Sequence, residues 1–141
     1  MHPIHPMVVH FPIALLLASC LFDALALRWR GEQFRDTSLS LLVVGVLAAG
    51  VAVLTGHFAE EAVEHSGIPK EAIELHEELG FAVFWLFLAL LGLRLAMYWG
   101  WMREQHKSVL AVGLGGAMLM VAASYFGGDL VYRFGAGVLP R

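Results

Sequence analysis

The sequence predicts an all-α membrane protein, an antiparallel four-helix transmembrane bundle with both termini on the outer side. The first observation is composition: 59% of the 141 residues are hydrophobic and 15% are charged, whereas soluble globular domains hold roughly 45–50% apolar and about 25% charged residues. The second is a mean hydropathy of +0.72. The third is that four apolar stretches approach the roughly 20 residues that cross a bilayer as a helix. Together these observations argue against a water-soluble enzyme.

The four helices are predicted within one domain that covers residues 1–141. They span about residues 8–27, 38–55, 72–101 and 109–128. The strongly apolar part of the third helix begins at Gly80, and the helix-forming residues before it extend that helix back to about residue 72. The first and third connections are short, which favours antiparallel hairpins. The second connection, about residues 56–71, is predicted to be an acidic outer loop.

Positive charges orient the predicted bundle, because short cytoplasmic loops carry an excess of lysine and arginine. Five such residues lie in the first and third connections: Arg28, Arg30, Arg35, Arg103 and Lys107. The other side has three: Lys70, Arg133 and Arg141. We therefore expect a multi-pass protein of the bacterial inner (cytoplasmic) membrane with both termini outside. The net charge of −3 and the lack of a basic stripe do not indicate a nucleic-acid partner.

Seven histidines are many for so apolar a chain, and the predicted topology places six of them on the outer side. These six are His2, His5, His10, His57, His65 and His76, which leaves His106 on the inner side. Three of the six, His10, His57 and His76, belong to the outer ends of three different helices. We therefore expect these three side chains to converge near one membrane face.

A haem b site with two axial histidines is the function that this arrangement favours. Haem b needs two axial nitrogens about 4 Å apart on facing helices of a bundle, and His10, His57 and His76 supply the candidate pairs. Gly80, one turn after His76, leaves space for a flat group, and Phe84 lies on the same helix face. The predicted function is electron transfer to or from quinol or a periplasmic carrier, rather than catalysis by a stand-alone enzyme.

Two other interpretations use the same residues. A zinc or copper ion takes three or four ligands at about 2 Å, which His10, His57 and His76 could supply together with His5 or Asp129. Alternatively, the histidines cap helices, and the chain is a non-enzymatic membrane scaffold or accessory subunit, in a homo-oligomer or a larger membrane complex.

The N-terminal segment MHPIHPM is a separate candidate for copper binding. It offers His2, His5 and Met7, but its prolines also favour an extended approach to the membrane. Metal binding by so short a tract is a compositional hint.

Two charges fall inside the predicted membrane segments. Asp23 lies in the inner half of the first helix and Arg94 in the inner half of the third, at similar depth. An unpaired charge at that depth is costly. We therefore expect Asp23 and Arg94 to form a structural ion pair.

The two ends of the chain resemble a bacterial integral-membrane family, the domain of unknown function 2231. The resemblance rests on the opening HPMVVHFPIALLL, on His76 at the start of the third helix and on the ending SYFGGDLVYRFGAGV, and it covers essentially the whole chain. The residues to which it points are His5, His10, Asp23, His76, Gly127, Gly128, Asp129, Tyr132 and Gly135. Of these, Asp23, Gly127, Gly128 and Tyr132 are interpreted as structural. The layout is similar to that of four-helix b-type membrane cytochromes, which is an analogy of fold.

Overall fold

A computed structural model describes residues 4–29, 31–64 and 67–136, with only the backbone of residues 60–64. Its helices are α1 (Ile4–Val8), α2 (His10–Trp29), α3 (Glu32–Glu64), α4 (Lys70–Tyr98) and α5 (His106–Tyr132). The part of the chain that the structure describes contains no strand. The all-α prediction is therefore confirmed.

Four helical segments are long and apolar enough to cross a membrane, as the sequence predicts. They are Ile4–Trp29, which joins α1 and α2, and Glu32–Ala59, Lys70–Tyr98 and His106–Tyr132. The outward orientation of the termini stays a prediction.

The helices differ from the predicted bounds chiefly at the acidic loop. We expected a loop over residues 56–71, but α3 continues to Glu64 and α4 begins at Lys70. Five of the nine residues 56–64 are alanine or glutamate, and both are good helix formers in water. At its other end α4 stops at Tyr98, because Gly100 adopts a left-handed φ of 74°. The Gly100 N–H then bonds to the Met97 carbonyl at 3.1 Å and closes the last turn.

The N-terminal segment is helical, and our expectation of an extended approach is wrong for the described residues 4–8. Pro6 fits there because the first turn of a helix leaves its N–H groups unbonded. The helix is interrupted at Val9, since Pro12 has no N–H to give to the carbonyl of Val8. The interruption is slight: the Val9 N–H still bonds to the His5 carbonyl at 3.2 Å.

The bundle consists of two antiparallel hairpins, α2 with α3 and α4 with α5. Helix α3 also packs on α4 and α5 on α2, so that α2 and α4 are diagonal to each other. The central side chains Leu16 and Phe87 are fully buried. Facing them, Gly45 and Gly116 lie so close that an added Cβ would stand 2.7 Å from Leu16 and 2.8 Å from Phe87.

The two hairpins repeat each other at a constant offset. Gly45 and Gly116 are separated by 71 residues, as are Leu16 and Phe87, and Asp23 and Arg94. Because equivalent residues make equivalent contacts, the hairpins are related by an approximate twofold axis that runs along the bundle. Residues close to this axis meet their own equivalents.

The predicted pairing of Asp23 with Arg94 is present on this axis. Both side chains are buried, and Arg94 Nη1 donates a hydrogen bond to Asp23 Oδ1. Arg94 also donates to Ser38 Oγ at 3.3 Å and to the Arg35 carbonyl at 3.0 Å. Ser19 and Ser38 complete the set by donating to each other's carbonyls, each at 3.0 Å. We call these five residues the ion-pair end of the bundle.

Candidate functional site

At the opposite end of the axis, His5 on α1 packs against α3. Its Nδ1 lies 2.9 Å from the carbonyl oxygen of Ala52 and 3.3 Å from Thr55 Oγ1. A carbonyl only accepts, so Nδ1–H donates and Nε2 carries the lone pair of the neutral ring. The ring sits on Gly56, where an added Cβ would stand 3.0 Å from His5 Cε1. Glycine at this position therefore makes room for the imidazole.

His76 on α4 makes the same contacts with α5. Its Nδ1 donates to the carbonyl of Ala123 at 3.0 Å, and its ring sits on Gly127, where an added Cβ would stand 2.7 Å from Cε1. In both hairpins the histidine and the alanine are 47 residues apart. The two imidazoles are therefore equivalents in the repeat.

The two equivalent rings meet across the bundle. The centroids of His5 and His76 are 6.1 Å apart, and the ring planes are inclined at 74°. Each ring is held at Nδ1 by its own hairpin. The pair therefore presents two nitrogens with lone pairs, one from each hairpin, which is the donor chemistry that metals and metal cofactors use.

The pair borders a cavity of about 490 Å³ at this end of the bundle. Most of its lining is apolar, and its titratable lining residues are His5, His10, His57, His76, Glu77 and Tyr132. We call this cavity and the residues around it the histidine end. It combines an apolar pocket with a few convergent polar groups, the usual character of a ligand site.

Two of the three histidines that we expected to converge lie at the rim of the cavity. His10 is exposed. His57 Nδ1 is 3.1 Å from Glu77 Oε1, and the His57 side chain is 66% exposed. The structure thus brings His10, His57 and His76 to one cavity, but the ring that faces His76 is that of His5.

The predicted Gly80 also lines this cavity. A Cβ added at Gly80 would meet no atom within 4 Å, so the expected space is present. Phe84 instead packs on α3, where its ring lies 3.4 Å from a Cβ built on Gly50, and it contacts Trp85 with centroids 5.3 Å apart.

The residues of the C-terminal motif divide between the cavity and its surroundings. Gly127 seats His76, while Gly128 and Tyr132 line the cavity, and the Tyr132 side chain is largely exposed. Asp129, a predicted metal ligand, lies 3.6 Å from Arg133 in an ion pair along the helix. Gly135 has a left-handed φ of 74° beyond the end of α5.

Other predicted groups lie outside the described residues, namely His2 and His65. Within the described ranges, no group of three or more histidine, cysteine, aspartate or glutamate side chains is arranged to hold a metal ion.

The sequence did not predict the contact between His5 and His76. We placed His5 among the supplementary metal ligands, and its ring lies against that of His76. The signal that identifies it is the repeat: a histidine, an alanine 47 residues later and a glycine four residues after that occur in both halves of the chain.

Comparison with known proteins agrees with the resemblance noted in the sequence. A family model described as predicted membrane protein (DUF2231) matches residues 1–140. The chain belongs to this family. No curated protein and no solved structure matches the chain. The family description states a membrane protein and no activity.

Proposed function

We propose that this family member binds one haem b at the histidine end, with His5 and His76 as the axial ligands. We propose further that it transfers electrons there, to or from quinol or a periplasmic carrier, at the outer face of a bacterial inner membrane. The observation that carries the proposal is the facing pair of imidazoles, one from each hairpin.

The spacing of the pair suits an axial position for each ring. When two axial nitrogens lie about 4 Å apart across an iron, the imidazole centroids lie about 6 Å apart; the centroids of His5 and His76 are 6.1 Å apart. The Nδ1 bonds to Ala52 and Ala123 also fit, because histidines that bind metals commonly donate their other N–H to a backbone carbonyl.

The cavity supports the same ligand. Its volume of about 490 Å³ lies within the range of roughly 300–1,000 Å³ that is typical of ligand pockets. Its walls are mostly apolar, and Gly80 leaves open space one turn from His76. Gly56 and Gly127 make room for the two rings. A bound haem supplies one-electron chemistry, and the protein orients it.

A zinc or copper ion is the alternative that shares this cavity. The facing pair supplies two ligands, whereas zinc sites take three or four protein ligands, or three and a water. His10 or His57 would have to approach His5 and His76 to complete the set. Metal analysis tests this alternative on the same sample as the haem.

The decisive experiment is an absorption spectrum of the detergent-purified full chain expressed with ample haem. We expect a Soret band, and sharp α and β bands after reduction. His5→Ala and His76→Ala should each abolish the reduced α band, while His106→Ala, at the start of α5 at the other end, should leave it unchanged. Absence of a Soret band in the unaltered chain overturns the proposal. Stoichiometric zinc or copper in its place supports the alternative.

His10→Ala and His57→Ala distinguish the ligand pairs. If His5 and His76 are the axial ligands, both variants keep the spectrum of a low-spin haem with two histidines. Loss of the α band in His10→Ala, with retention in His5→Ala, would return the assignment to the pair expected from the helix ends.

A further inference from the structure

We infer that His57 and Glu77 form a binding site for the headgroup of a neutral, lipid-soluble quinone or hydroquinone at the gap between α3 and α4. The inference rests on the proposed function, because it names the electron-transfer partner of the same cavity. The observations that carry it are the position of the pair, its absence from the other half of the repeat, and the charges around it.

The pair joins the two hairpins at the rim of the cavity. His57 belongs to α3 and Glu77 to α4, and their Nδ1···Oε1 contact of 3.1 Å bridges the gap between these helices. Both residues line the cavity, and both are immediate neighbours of its central groups, since His57 follows Gly56 and Glu77 follows His76. A ligand bound by the pair is therefore next to the histidine site.

The pair breaks the repeat. The residue 71 positions after His57 is Gly128 on α5, and the residue 71 positions before Glu77 is Pro6 on α1. The equivalent positions therefore carry neither an imidazole nor a carboxylate. The central contacts keep their chemistry in both halves, as His5 with His76 and Gly56 with Gly127 show. The pair therefore gives the gap between α3 and α4 an imidazole and a carboxylate that the equivalent positions of the repeat lack.

The charges nearby select the ligand class. Glu78 is exposed next to Glu77, whereas Glu74 on the same part of α4 pairs with Lys70 at 3.5 Å. The carboxylates of Glu77 and Glu78 would therefore repel an anionic headgroup such as a phosphate. A neutral headgroup with oxygen atoms avoids this repulsion: a hydroxyl can donate to the carboxylate, and a carbonyl can accept from an imidazole N–H. The apolar lining, including Val53 and the partly exposed Phe81, suits a hydrocarbon ring and tail. Quinones and hydroquinones have this combination.

The test is photolabelling of the full chain in phosphatidylcholine nanodiscs with an azidobenzoquinone that carries a short saturated tail. We expect saturable labelling on the parts of α3 and α4 around His57 and Glu77, and loss of labelling with excess unlabelled quinone. His57→Phe and Glu77→Gln each remove a hydrogen-bonding group and should weaken the apparent affinity by roughly tenfold. The matched control is Glu74→Gln, one turn earlier on the same helix, which should change it by less than about twofold.

Three results overturn the inference: labelling that does not saturate, labelling that is unchanged in both variants, or displacement by a short-chain phosphatidylcholine as effective as by quinone, which identifies a lipid site. The absorption spectrum of each sample separates this inference from the proposed function. A normal haem spectrum without saturable labelling removes only the quinone site, whereas saturable labelling of a chain without haem removes only the haem assignment.

Discussion

At each end of the bundle, two residues that the repeat relates meet across the axis. The two side chains complement each other at the ion-pair end, whereas those at the histidine end do not. At the ion-pair end, Asp23 and Arg94 carry opposite charges and satisfy each other. At the histidine end, His5 and His76 are identical, and each Nδ1 is satisfied by a carbonyl of its own hairpin. Because the two imidazoles are identical, neither ring offers a complementary group to the Nε2 atom of the other. The comparison shows how one architecture yields a buried ion pair at one end and an apolar cavity with two facing imidazoles at the other.

The largest expected effect comes from removing one partner of the buried ion pair. Arg94→Met leaves the buried carboxylate of Asp23 without its partner, which should lower the free energy of unfolding by about 3–5 kcal/mol. The double variant Asp23→Leu/Arg94→Met removes both charges and should recover most of this loss. Equilibrium unfolding in bicelles measures both.

The exposed pair of Arg35 and Glu104 is the control for this prediction. Their contact is 3.7 Å, and the side chains are 31% and 64% exposed, so Glu104→Gln should change the free energy of unfolding far less than Arg94→Met does. If Arg94→Met lowers the free energy of unfolding no more than this control does, the buried ion pair does not stabilise the bundle.

The next effect tests whether the repeat determines the packing between the two ends. Gly116→Ala would place a Cβ 2.8 Å from the buried Phe87 ring, and Gly45→Ala would place one 2.7 Å from Leu16. Overpacking of this kind costs about 1–3 kcal/mol, so both variants should be destabilised to a similar degree.

Gly115→Ala is the matched control, because a Cβ there meets no atom within 4 Å. Alanine is the better helix former by about 1 kcal/mol, so Gly115→Ala should be neutral or stabilising in the same unfolding measurement. If adjacent Gly115→Ala and Gly116→Ala behave alike, the close contact with Phe87 is not present.

A smaller and more local effect is expected at the seats of the histidines. Gly127→Ala brings a Cβ to 2.7 Å from the His76 ring, whereas Gly56→Ala brings one to 3.0 Å from His5. The first change should displace its ring more than the second and weaken the Nδ1 bond to Ala123. Nitrogen NMR of the imidazoles in the ligand-free chain should show a larger change in the Nδ1–H signal of His76 than in that of His5.

Gly128→Ala is the control for Gly127→Ala. Gly128 follows Gly127 directly, and a Cβ added at Gly128 meets no atom within 4 Å. Its imidazole signals should match those of the unaltered chain. Equal shifts in Gly127→Ala and Gly128→Ala would mean that Gly127 does not seat His76.

Composition and periodicity were enough to predict the four helices, because membrane-length apolar runs have few other solutions. They also predicted the pairing of Asp23 with Arg94, since an isolated charge at that depth is costly. They did not identify the partner of His76. His5 precedes the first long apolar run, and its position depends on a contact with Gly56 of another helix, which local periodicity does not report.

The prediction of an acidic loop over residues 56–71 was wrong for a related reason. The length of an apolar run indicates where a helix leaves the bilayer, and it does not indicate where the helix ends. Residues after Thr55 stay helical to Glu64 because alanine and glutamate favour the helix in water as well. This extension of α3 carries His57 to the position where it meets Glu77.

The smallest effect on stability, and the sharpest contrast between the two ends, is expected at Gly80. A Cβ at this position meets nothing within 4 Å, although the residue lines the cavity. Gly80→Ala should therefore leave the free energy of unfolding unchanged or raise it by up to about 1 kcal/mol. Gly80→Phe should also fold, because its ring can occupy the open cavity, but it should compete with any ligand between His5 and His76. We expect haem content per chain, measured by pyridine haemochrome, to be retained in Gly80→Ala and to fall sharply in Gly80→Phe. Equal haem content in the two variants would show that the ligand does not use this space. Helix content by circular dichroism is the control, and a constant value in both variants shows that the change is confined to the cavity.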